Sequence, residues 1–477
     1  MITARTCRLG GRGTDAALLL LAALTATALG LSAARSLLLA IEACAAIVVV
    51  PLALLRPKLL PPVLVVSIFA STFTVGGLTI QRFVAPLAGV ATIAYLVRRP
   101  VRVRGDGFLL AAIAAYVVLA LASLLWTVDL GGTVFELASL AISVAFAVAL
   151  MVLVEDSRDV RGLLWAVAVC AFALGAWWIV SYLTGVDRRF NLAGDPNFFA
   201  ALEVVALPLV LSLLRSMRSR GPRLFLFSTV AIIAASVPAS LSRGGLLALL
   251  VAVVVIVVVP ARLFFQSGRQ KAVVFAVALG SLSTLGAIAG ADLSQRFQQA
   301  FSSPSLAAGR GDLALAALNG FEQHPVLGLG FGAFKSTSFE LLRTTPGVDL
   351  PAHLQCLEPG GTIRGSAGCT GQQVHNAYLE SLVELGPLGL LTFAGIFAAG
   401  WLAIARALWA NAGFLDPLLV SLLAALAIGL VTMGVSSVSI STETSRTLWL
   451  IVGMVLAVSA IIGRQGGGGV TKLEEVS

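Results

Sequence analysis

The three histidines of this sequence are the side chains that exchange protons near neutral pH. His324, His353 and His375 all fall between residues 291 and 375, and none lies within a long apolar run. The last of them begins the sequence HNAYLESLVELGPLGLLTF, which continues directly into such a run. Histidines gathered in one segment predict that the chemistry of the protein is located there.

Two cysteines, Cys356 and Cys369, lie in the same segment. Their spacing is compatible with a disulfide, which an oxidising compartment allows and which contributes about 3 kcal/mol when it closes so short a loop. Two free thiols are the alternative, and a metal site is not expected because a four-ligand set is lacking. Cys7, Cys44 and Cys170 fall in or near apolar runs and are predicted to pack there.

The elements that must position these residues are membrane helices. The 477 residues are 58% hydrophobic and 12% charged, with a mean hydropathy of +0.98, which is far outside the range of soluble proteins. Apolar stretches close to the roughly 20 residues that cross a bilayer recur along the chain. They are continuous rather than alternating, which indicates helices and not a barrel. The expected fold class is an all-α polytopic membrane protein.

About fourteen transmembrane helices are expected, with twelve or thirteen as alternatives. Ser242 is the expected break between the ninth and tenth, and the stretch 376–406 is long enough to be tilted or to project beyond the membrane. The expected spans are residues 15–33, 36–55, 59–76, 82–98, 107–126, 133–154, 162–184, 197–215, 223–240, 244–260, 272–290, 376–406, 414–436 and 447–463.

Basic residues predict the orientation, because lysine and arginine collect in cytoplasmic connections. The segments RTCRLGGR, RPK, RRPVRVR, RSMRSRGPR and ARLFFQSGRQK all fall on one side of this helix order. The net charge of +9 is therefore mostly a membrane signal, and no nucleic-acid partner is expected. The protein is expected in the cytoplasmic membrane, with residues 291–374 as one large extracytoplasmic loop between the eleventh and twelfth spans. A cleavable signal peptide is an alternative interpretation of the first apolar run.

The long loop carries its own helix and turn signals. Ala314, Ala317, Leu318 and Phe321 recur at the spacing of one helical face, and a His-Pro pair ends the pattern. A helix lying at the membrane surface is therefore expected. The GLGFG sequence that follows is similar to a dinucleotide-binding loop, but it comes after a helix and lacks a βαβ setting, so tight turns are the better interpretation.

Four segments of the chain resemble, in order and spacing, those of the O-antigen ligase and polymerase superfamily. They are NLAGDPNFFAALEVVALPLVL from Asn191, SLSRGGLLALL from Ser240, GRGDLALAALNGFEQHPVLGLGFGAF from Gly309 and HNAYLESLVELGPLGLL from His375. The expected organisation is N-terminal transmembrane helices in residues 1–190, ligase-like helices in 191–290, the extracytoplasmic loop in 291–375, C-terminal helices in 376–463 and a disordered cytoplasmic tail in 464–477.

The resemblance implies glycosyl transfer on the outer face of the cytoplasmic membrane. A glycan on a polyprenyl diphosphate carrier, such as undecaprenyl diphosphate, is handed to an acceptor hydroxyl without a cofactor, metal or nucleotide sugar. The acceptor is a lipid, a glycan or a protein, so a ligase, a polysaccharide polymerase and a protein O-oligosaccharyltransferase all remain open. A lipid-glycan flippase or transporter is an alternative of another class, although the sequence shows no evident repeated halves.

By the same resemblance the functional residues are Arg243 in SRGG, Arg310 in GRGD and His375 in HNAYLE. Arginine stays protonated and grips phosphate oxygens in a bidentate way, so both arginines are expected to bind the donor diphosphate and stabilise its developing charge. His375 is expected to accept the proton of the acceptor hydroxyl. The structural alternatives are anchoring of a helix end by Arg243, a contact with Asp312 for Arg310 and a helix-start role for His375.

Three further residues are candidates for substrate binding. Glu380 follows His375 by about one and a half helical turns and could orient the histidine or the acceptor, with structural pairing as the alternative. Asn197 in GDPNFF stands at a helix-start signal, and His324 could instead cap or pack beside Pro325. Other carboxylates in the outer halves of spans could line the same cavity or balance its arginines: Glu42, Glu203 and Glu384.

Overall fold

The computed structural model describes the helical bundle and part of the long loop. The described residues are 55–70, 74–75, 78–98, 105–185, 195–302, 310–348, 372–410 and 416–474. The expected span 15–33, almost all of 36–55, and the expected disulfide between Cys356 and Cys369 lie outside them, as does His353. These expectations stay predictions.

Helices form nearly all of the described regular structure. They are α1 (Leu60–Phe69), α2 (Ile80–Arg98), α3 (Gly107–Ala122), α4 (Leu130–Leu153), α5 (Ser157–Leu183), α6 (Pro196–Ser216), α7 (Arg220–Ala239), α8 (Arg243–Val258), α9 (Gly268–Ile288), α10 (Gly290–Ser302), α11 (Arg310–Gln323), α12 (Phe334–Thr344), α13 (Ala377–Ala410), α14 (Pro417–Ser436) and α15 (Arg446–Glu474). Two short antiparallel strands, β1 (Thr74–Val75) and β2 (Leu78–Thr79), precede α2.

Nine helices within the described residues are long and apolar enough to cross a membrane, namely α3 to α7, α9 and α13 to α15. Three shorter apolar helices lie at Pro57–Phe69, Pro86–Arg98 and Arg243–Val258. The prediction of a helical membrane protein is confirmed, including the break at Ser242, whereas the number of about fourteen spans stays a prediction.

The centre of the bundle is α6, in which every residue from Phe199 to Leu214 is buried. It packs against α5, α7, α8 and α14, while α15 packs along α4. A helix that is apolar all round is stable only when other helices or lipid surround it. α9 is the opposite case, because only Gln270 and Val274 among its residues are buried in the described bundle.

Ion pairs join the helices at one end of the bundle. Lys58 Nζ lies 2.8 Å from Glu155 Oε2 and 3.4 Å from Asp159 Oδ2. Arg406 donates to both carboxylate oxygens of Asp106, at 2.7 and 2.8 Å. We call this the basic end, and the opposite end, at which α6, α8 and α13 begin, the loop end. Charged groups thus lie beyond the apolar lengths of the helices, where they remain solvated.

The long helix α13 is broken at Gly386, whose backbone has φ 69° and ψ −167°. Pro387 follows and has no N–H, so the carbonyl of Val383 loses its usual helical donor. The backbone N–H of Leu329 donates to that carbonyl at 2.9 Å, and the N–H of Gly330 donates to the carbonyl of Glu384 at 2.8 Å. The segment after α11 therefore completes the hydrogen bonds that the break in α13 leaves open.

Glycines allow the segment after α11 to approach α13 and the connection from α3 to α4 closely. Gly328, Gly330 and Gly332 all have positive φ, and a Cβ on each would collide respectively with the backbone of Glu384, with Thr127 and with the side chain of Glu136. Only glycine adopts such conformations without steric cost. The tight turns expected for GLGFG are present, and they pack the loop against α13 and against the connection from α3 to α4.

Two details differ from expectation. α11 forms where predicted, but its buried face contains Leu313, Ala316, Ala317 and Gly320, while Leu318 is exposed. The segment is apolar on several sides. The face that packs contains Gly320, where a Cβ would lie 3.0 Å from the side chain of Val383 on α13 and 3.1 Å from that of Leu341 on α12. Only a very small residue fits between α11 and these two helices. α15 continues to Glu474, whereas a disordered tail was expected from residue 464; the run of four glycines within it gives no local reason for the longer helix.

Candidate active site

Arg243 is the first residue of α8, and the sequence before it holds the helix start rigidly. Ser242 Oγ accepts a hydrogen bond from the Gly245 N–H at 3.0 Å, as an N-cap does, and donates one to Asn197 Oδ1 at 2.7 Å. Leu241 has φ 53°, an uncommon backbone conformation for a branched residue. The turn between α7 and α8 thus presents Arg243 beside the start of α6.

The start of α6 contributes a carboxylate to the same place. Asp195 Oδ1 accepts hydrogen bonds from the N–H groups of Asn197 and Phe198 at 2.7 and 3.3 Å, and from Asn197 Nδ2 at 2.9 Å. Asp195 is therefore the N-cap of α6, and Asn197 links that cap to Ser242. Asn197 joins two helix starts through both ends of its amide, and its expected contact with substrate stays a prediction.

His375 lies directly before α13 with φ 55°, in the left-handed region. Asn376 Oδ1 accepts from the N–H groups of Tyr378 and Leu379 at 3.1 and 3.2 Å, so it caps the helix. The N–H of Ala377 donates to the carbonyl of Ser437 at 2.8 Å, which fixes this start against the end of α14. Strained backbone of this kind often occurs at functional sites, where the surrounding structure holds it in place.

Arg310 brings these elements together from the long loop. It is the first residue of α11 and is half-buried, and its guanidinium is within electrostatic reach of Arg243, Asp195 and His375. Burial lowers the pKa of Arg310, the Asp195 carboxylate opposes that effect and the Arg243 cation adds to it. The three residues expected to be catalytic thus meet at the loop end; we call them, with Asp195, the arginine cluster.

The arginine cluster lowers the pKa of His375 below its ordinary value of 6.5. Burial is the largest cause, the Arg310 cation adds to it, and the Asp195 carboxylate acts in the opposite direction. A histidine with a lowered pKa is neutral at pH 7 and can therefore accept a proton. Its surroundings favour the form that a general base needs.

The arginine cluster is suited to an anion. Two guanidinium groups face one carboxylate, so the cluster carries an excess of positive charge when His375 is neutral. It also lies at the N-terminal ends of α6, α8, α11 and α13, whose helix dipoles favour negative charge. A diphosphate would satisfy both features. Among the described residues, no group of three or more His, Cys, Asp or Glu side chains is arranged to hold a metal ion.

Two predicted residues lie elsewhere. His324 is exposed just after α11, where its carbonyl accepts from the Gly328 N–H at 3.0 Å. Glu380 lies in a separate buried pocket with Glu384 and Glu443, and its carboxylate accepts a hydrogen bond from the Ser441 hydroxyl. The neighbours of Glu380 are therefore Ser441 and other carboxyl groups and not the arginine cluster, and its expected role in orienting the histidine or the acceptor stays a prediction.

The pocket around Glu380 includes residues that the sequence motifs did not indicate. Glu136 on α4, Lys335 on α12 and Glu443 before α15 line it together with Glu380 and Glu384. Each is a single charged residue in an unremarkable stretch, so no local spacing could have identified them. The one available signal was the position of Glu136 and Glu384 within apolar helices, where a charge is costly unless it is paired or functional.

Part of the chain is similar to a known protein family. Residues 227–394 match the family model of the O-Antigen ligase domain, Wzy_C, and this stretch contains Arg243, Arg310 and His375. No curated protein sequence matches the chain significantly. Residues 227–394 are thus similar to the O-antigen ligase domain, and the nine long apolar helices of the described residues indicate a multi-pass membrane protein.

Proposed function

We propose that the protein is a membrane glycosyltransferase that moves a glycan from a polyprenyl diphosphate carrier to an acceptor hydroxyl on the extracytoplasmic side of the membrane. Its place is in the synthesis of cell-envelope polysaccharide. The acceptor is a lipid, a growing glycan or a protein, as in a ligase, a polymerase or an O-oligosaccharyltransferase. The carrier tail lies among membrane lipids while the diphosphate sits at the loop end.

The chemistry needs one base and a site for a charged leaving group. The acceptor oxygen attacks the anomeric carbon of the donor sugar, and the bond from that carbon to the diphosphate oxygen breaks. His375 takes the proton of the acceptor hydroxyl, and the polyprenyl diphosphate leaves with the electron pair of the broken bond. Arg243 and Arg310 stabilise the negative charge that grows on the diphosphate during this step.

The observation that carries the proposal is the meeting of Arg243, Arg310 and His375 at converging helix N-termini. Two cations and the N-terminal ends of four helices would favour a diphosphate there, and His375 would supply a neutral imidazole. These three residues start or precede separate helices, so their proximity is a property of the whole bundle.

A flippase or transporter is the second candidate, because the broken helix α13 is a feature that transporters use at their substrate sites. In this protein the loop residues Leu329 and Gly330 occupy the hydrogen-bonding groups that the break exposes. The break therefore fixes the loop and leaves no free carbonyls there for a transported ion. This favours the transferase.

A purified-protein assay distinguishes the two candidates. The protein in detergent is expected to form a new glycoside from an extracted lipid-linked glycan and an extract of envelope acceptors, with release of polyprenyl diphosphate. A transporter has no covalent product under these conditions. Absence of any glycoside from folded protein that binds the lipid-linked glycan would contradict the transferase proposal.

The same proposal predicts which end of the bundle faces outward. In a background without the native cysteines, Ser302→Cys at the end of α10 is expected to react with a membrane-impermeant thiol reagent in intact cells. Its matched control, Ser219→Cys at the basic end, is expected to react only after lysis, because the basic connections are cytoplasmic. The reverse labelling pattern would place the arginine cluster in the cytoplasm and overturn the orientation.

A further inference from the structure

A second cavity opens at the loop end, and none of its lining residues belongs to the arginine cluster. It has a volume of about 300 Å³. Its walls include Asp129 and Ser336, the ring of Phe135, the carboxylate of Glu136 and the ammonium group of Lys335. This volume is at the small end of the range for sites that bind a small molecule, so it suits one ring-sized group.

The cavity shares Glu136 and Lys335 with the buried pocket around Glu380. That inner pocket has a volume of about 20 Å³, which is room for one water-sized group. Glu380, Glu384 and Glu443, all nearly inaccessible to solvent, form part of its lining. The two pockets thus adjoin at Glu136 and Lys335, and the outer one has room for a ring while the inner one has room for one small polar group.

A buried tyrosine lies near the carboxyl groups of the inner pocket. Tyr116 on α3 is 0% exposed, and the neighbours of its hydroxyl are Ser381 and the carboxyl groups of Glu443, Glu384 and Glu380. The surroundings of the inner pocket are therefore polar on this side as well.

The lining of this space differs from that of the arginine cluster. Four glutamates, Glu136, Glu380, Glu384 and Glu443, line the inner pocket, and the cations within reach of Glu136 are Lys335 and Arg446. The volume of about 20 Å³ leaves no room for a phosphate group in the inner pocket. The two spaces therefore differ in the ligand they can hold.

The lining matches a ligand rich in hydroxyl groups. Carboxylate oxygens accept hydrogen bonds from O–H donors, and the Lys335 ammonium group donates to hydroxyl oxygens. Hydrogen bonds to charged groups are also stronger than those between neutral groups. The apolar ring of Phe135 offers a surface for the C–H groups of a sugar ring. A monosaccharide unit presents all three of these features.

We propose that this cavity binds one sugar residue of the acceptor and presents its hydroxyl group to His375. The proposal rests on the proposed function, because only a glycosyl acceptor needs a hydroxyl beside the base. Gln373 lines the inner pocket and precedes His375 by two residues, so the same short segment borders both spaces. The acceptor of this protein is therefore a glycan, or a lipid or protein that already carries sugar at the site of transfer.

Direct binding of simple glycosides tests the cavity without requiring catalysis. Full-length protein in nanodiscs is titrated with methyl β-D-glucopyranoside and methyl N-acetyl-β-D-glucosaminide, and contact is followed by saturation-transfer NMR. Glu136→Gln and Lys335→Met are each expected to weaken binding roughly tenfold, the effect of losing one charged hydrogen bond. The matched control is Glu340→Gln, an exposed carboxylate on the same helix as Lys335, which is expected to bind as the wild type does.

Arg310→Ala separates this proposal from the proposed function. It is expected to keep glycoside binding while losing affinity for the lipid-linked donor, because the two ligands occupy different spaces. Wild-type protein that binds glycosides through Glu136 but transfers no glycan would refute the proposed function and leave a sugar site.

Three outcomes would overturn the sugar site itself. The first is an absence of saturable glycoside binding in the wild type, and the second is equal binding in wild type, Glu136→Gln and Lys335→Met. The third is calorimetric binding of Ca²⁺ that Glu136→Gln abolishes, since it would make the pocket a cation site. Phe135→Leu provides a variant that leaves every charge in place; it is expected to weaken glycoside binding by removing the ring surface.

Discussion

His375→Ala is expected to reduce single-turnover glycan transfer by roughly 10²–10⁴-fold, the usual contribution of a general base. Binding of the lipid-linked donor is expected to stay nearly unchanged, because the diphosphate contacts the arginines and not the imidazole. The measurement compares donor affinity and single-turnover rate for wild type and variant in nanodiscs. Gln323→Ala, at an exposed position at the end of α11, is a control for changes in the loop end.

The pH dependence of the transfer rate is a second test of His375 as the base. Burial and the Arg310 cation lower the pKa of His375 below 6.5, so the neutral imidazole persists into mildly acidic solution. The wild-type rate is therefore expected to be constant near pH 7 and to fall as the pH drops through this lowered pKa. His375→Ala is expected to lack that fall. Near-normal turnover in His375→Ala, or an unchanged pH profile, would remove His375 as the base.

Arg310→Ala is expected to have the second-largest effect, because it weakens donor binding and turnover together. In the proposed mechanism the guanidinium contacts the diphosphate both before and during bond breaking, and loss of one charged contact weakens donor binding roughly tenfold to hundredfold. Arg310→Lys is expected to recover only part of this loss, since it keeps the charge but not the two-pronged geometry. Donor affinity and single-turnover rates distinguish the variants.

Removal of Arg310 also has an expected effect on His375. The Arg310 cation contributes to the lowered pKa of His375, so Arg310→Ala should raise that pKa and move the acid limb of the rate profile to higher pH. A purely structural arginine would not produce this shift. Arg343→Ala, which removes an exposed arginine paired with Glu340 on α12, is the matched control. Wild-type donor affinity in Arg310→Ala would contradict a role in diphosphate binding.

The membrane helices could be predicted from the sequence because they follow from local composition. Hydrocarbon requires every backbone polar group to be paired within its own segment, so a continuous apolar run of sufficient length becomes a helix wherever it occurs. The expected span 162–184 corresponds to α5, and the expected break at Ser242 separates α7 from α8. The pair Gly386-Pro387 that breaks α13 is also a local signal, and it lies within the expected span 376–406.

What fills that break is a property of the tertiary structure. The carbonyls of Val383 and Glu384 receive the N–H groups of Leu329 and Gly330, which are more than fifty residues earlier in the chain. No pattern within either segment specifies this pairing. It depends on the positive φ of the loop glycines and on the space that Gly386 leaves, which exist only once α3, α4 and α13 are packed together.

The same division applies to the two polar sites. Motifs identified Arg243, Arg310 and His375 one at a time, because a charged or titratable residue at a helix start is a local feature. Their meeting with Asp195, and the separate pocket in which Glu380 joins Glu136 and Glu443 across three helices or their ends, arise only from packing. The reason is physical: the residue types are determined along the chain, but electrostatic contacts between distant segments exist only after the helices have packed side by side in the folded bundle.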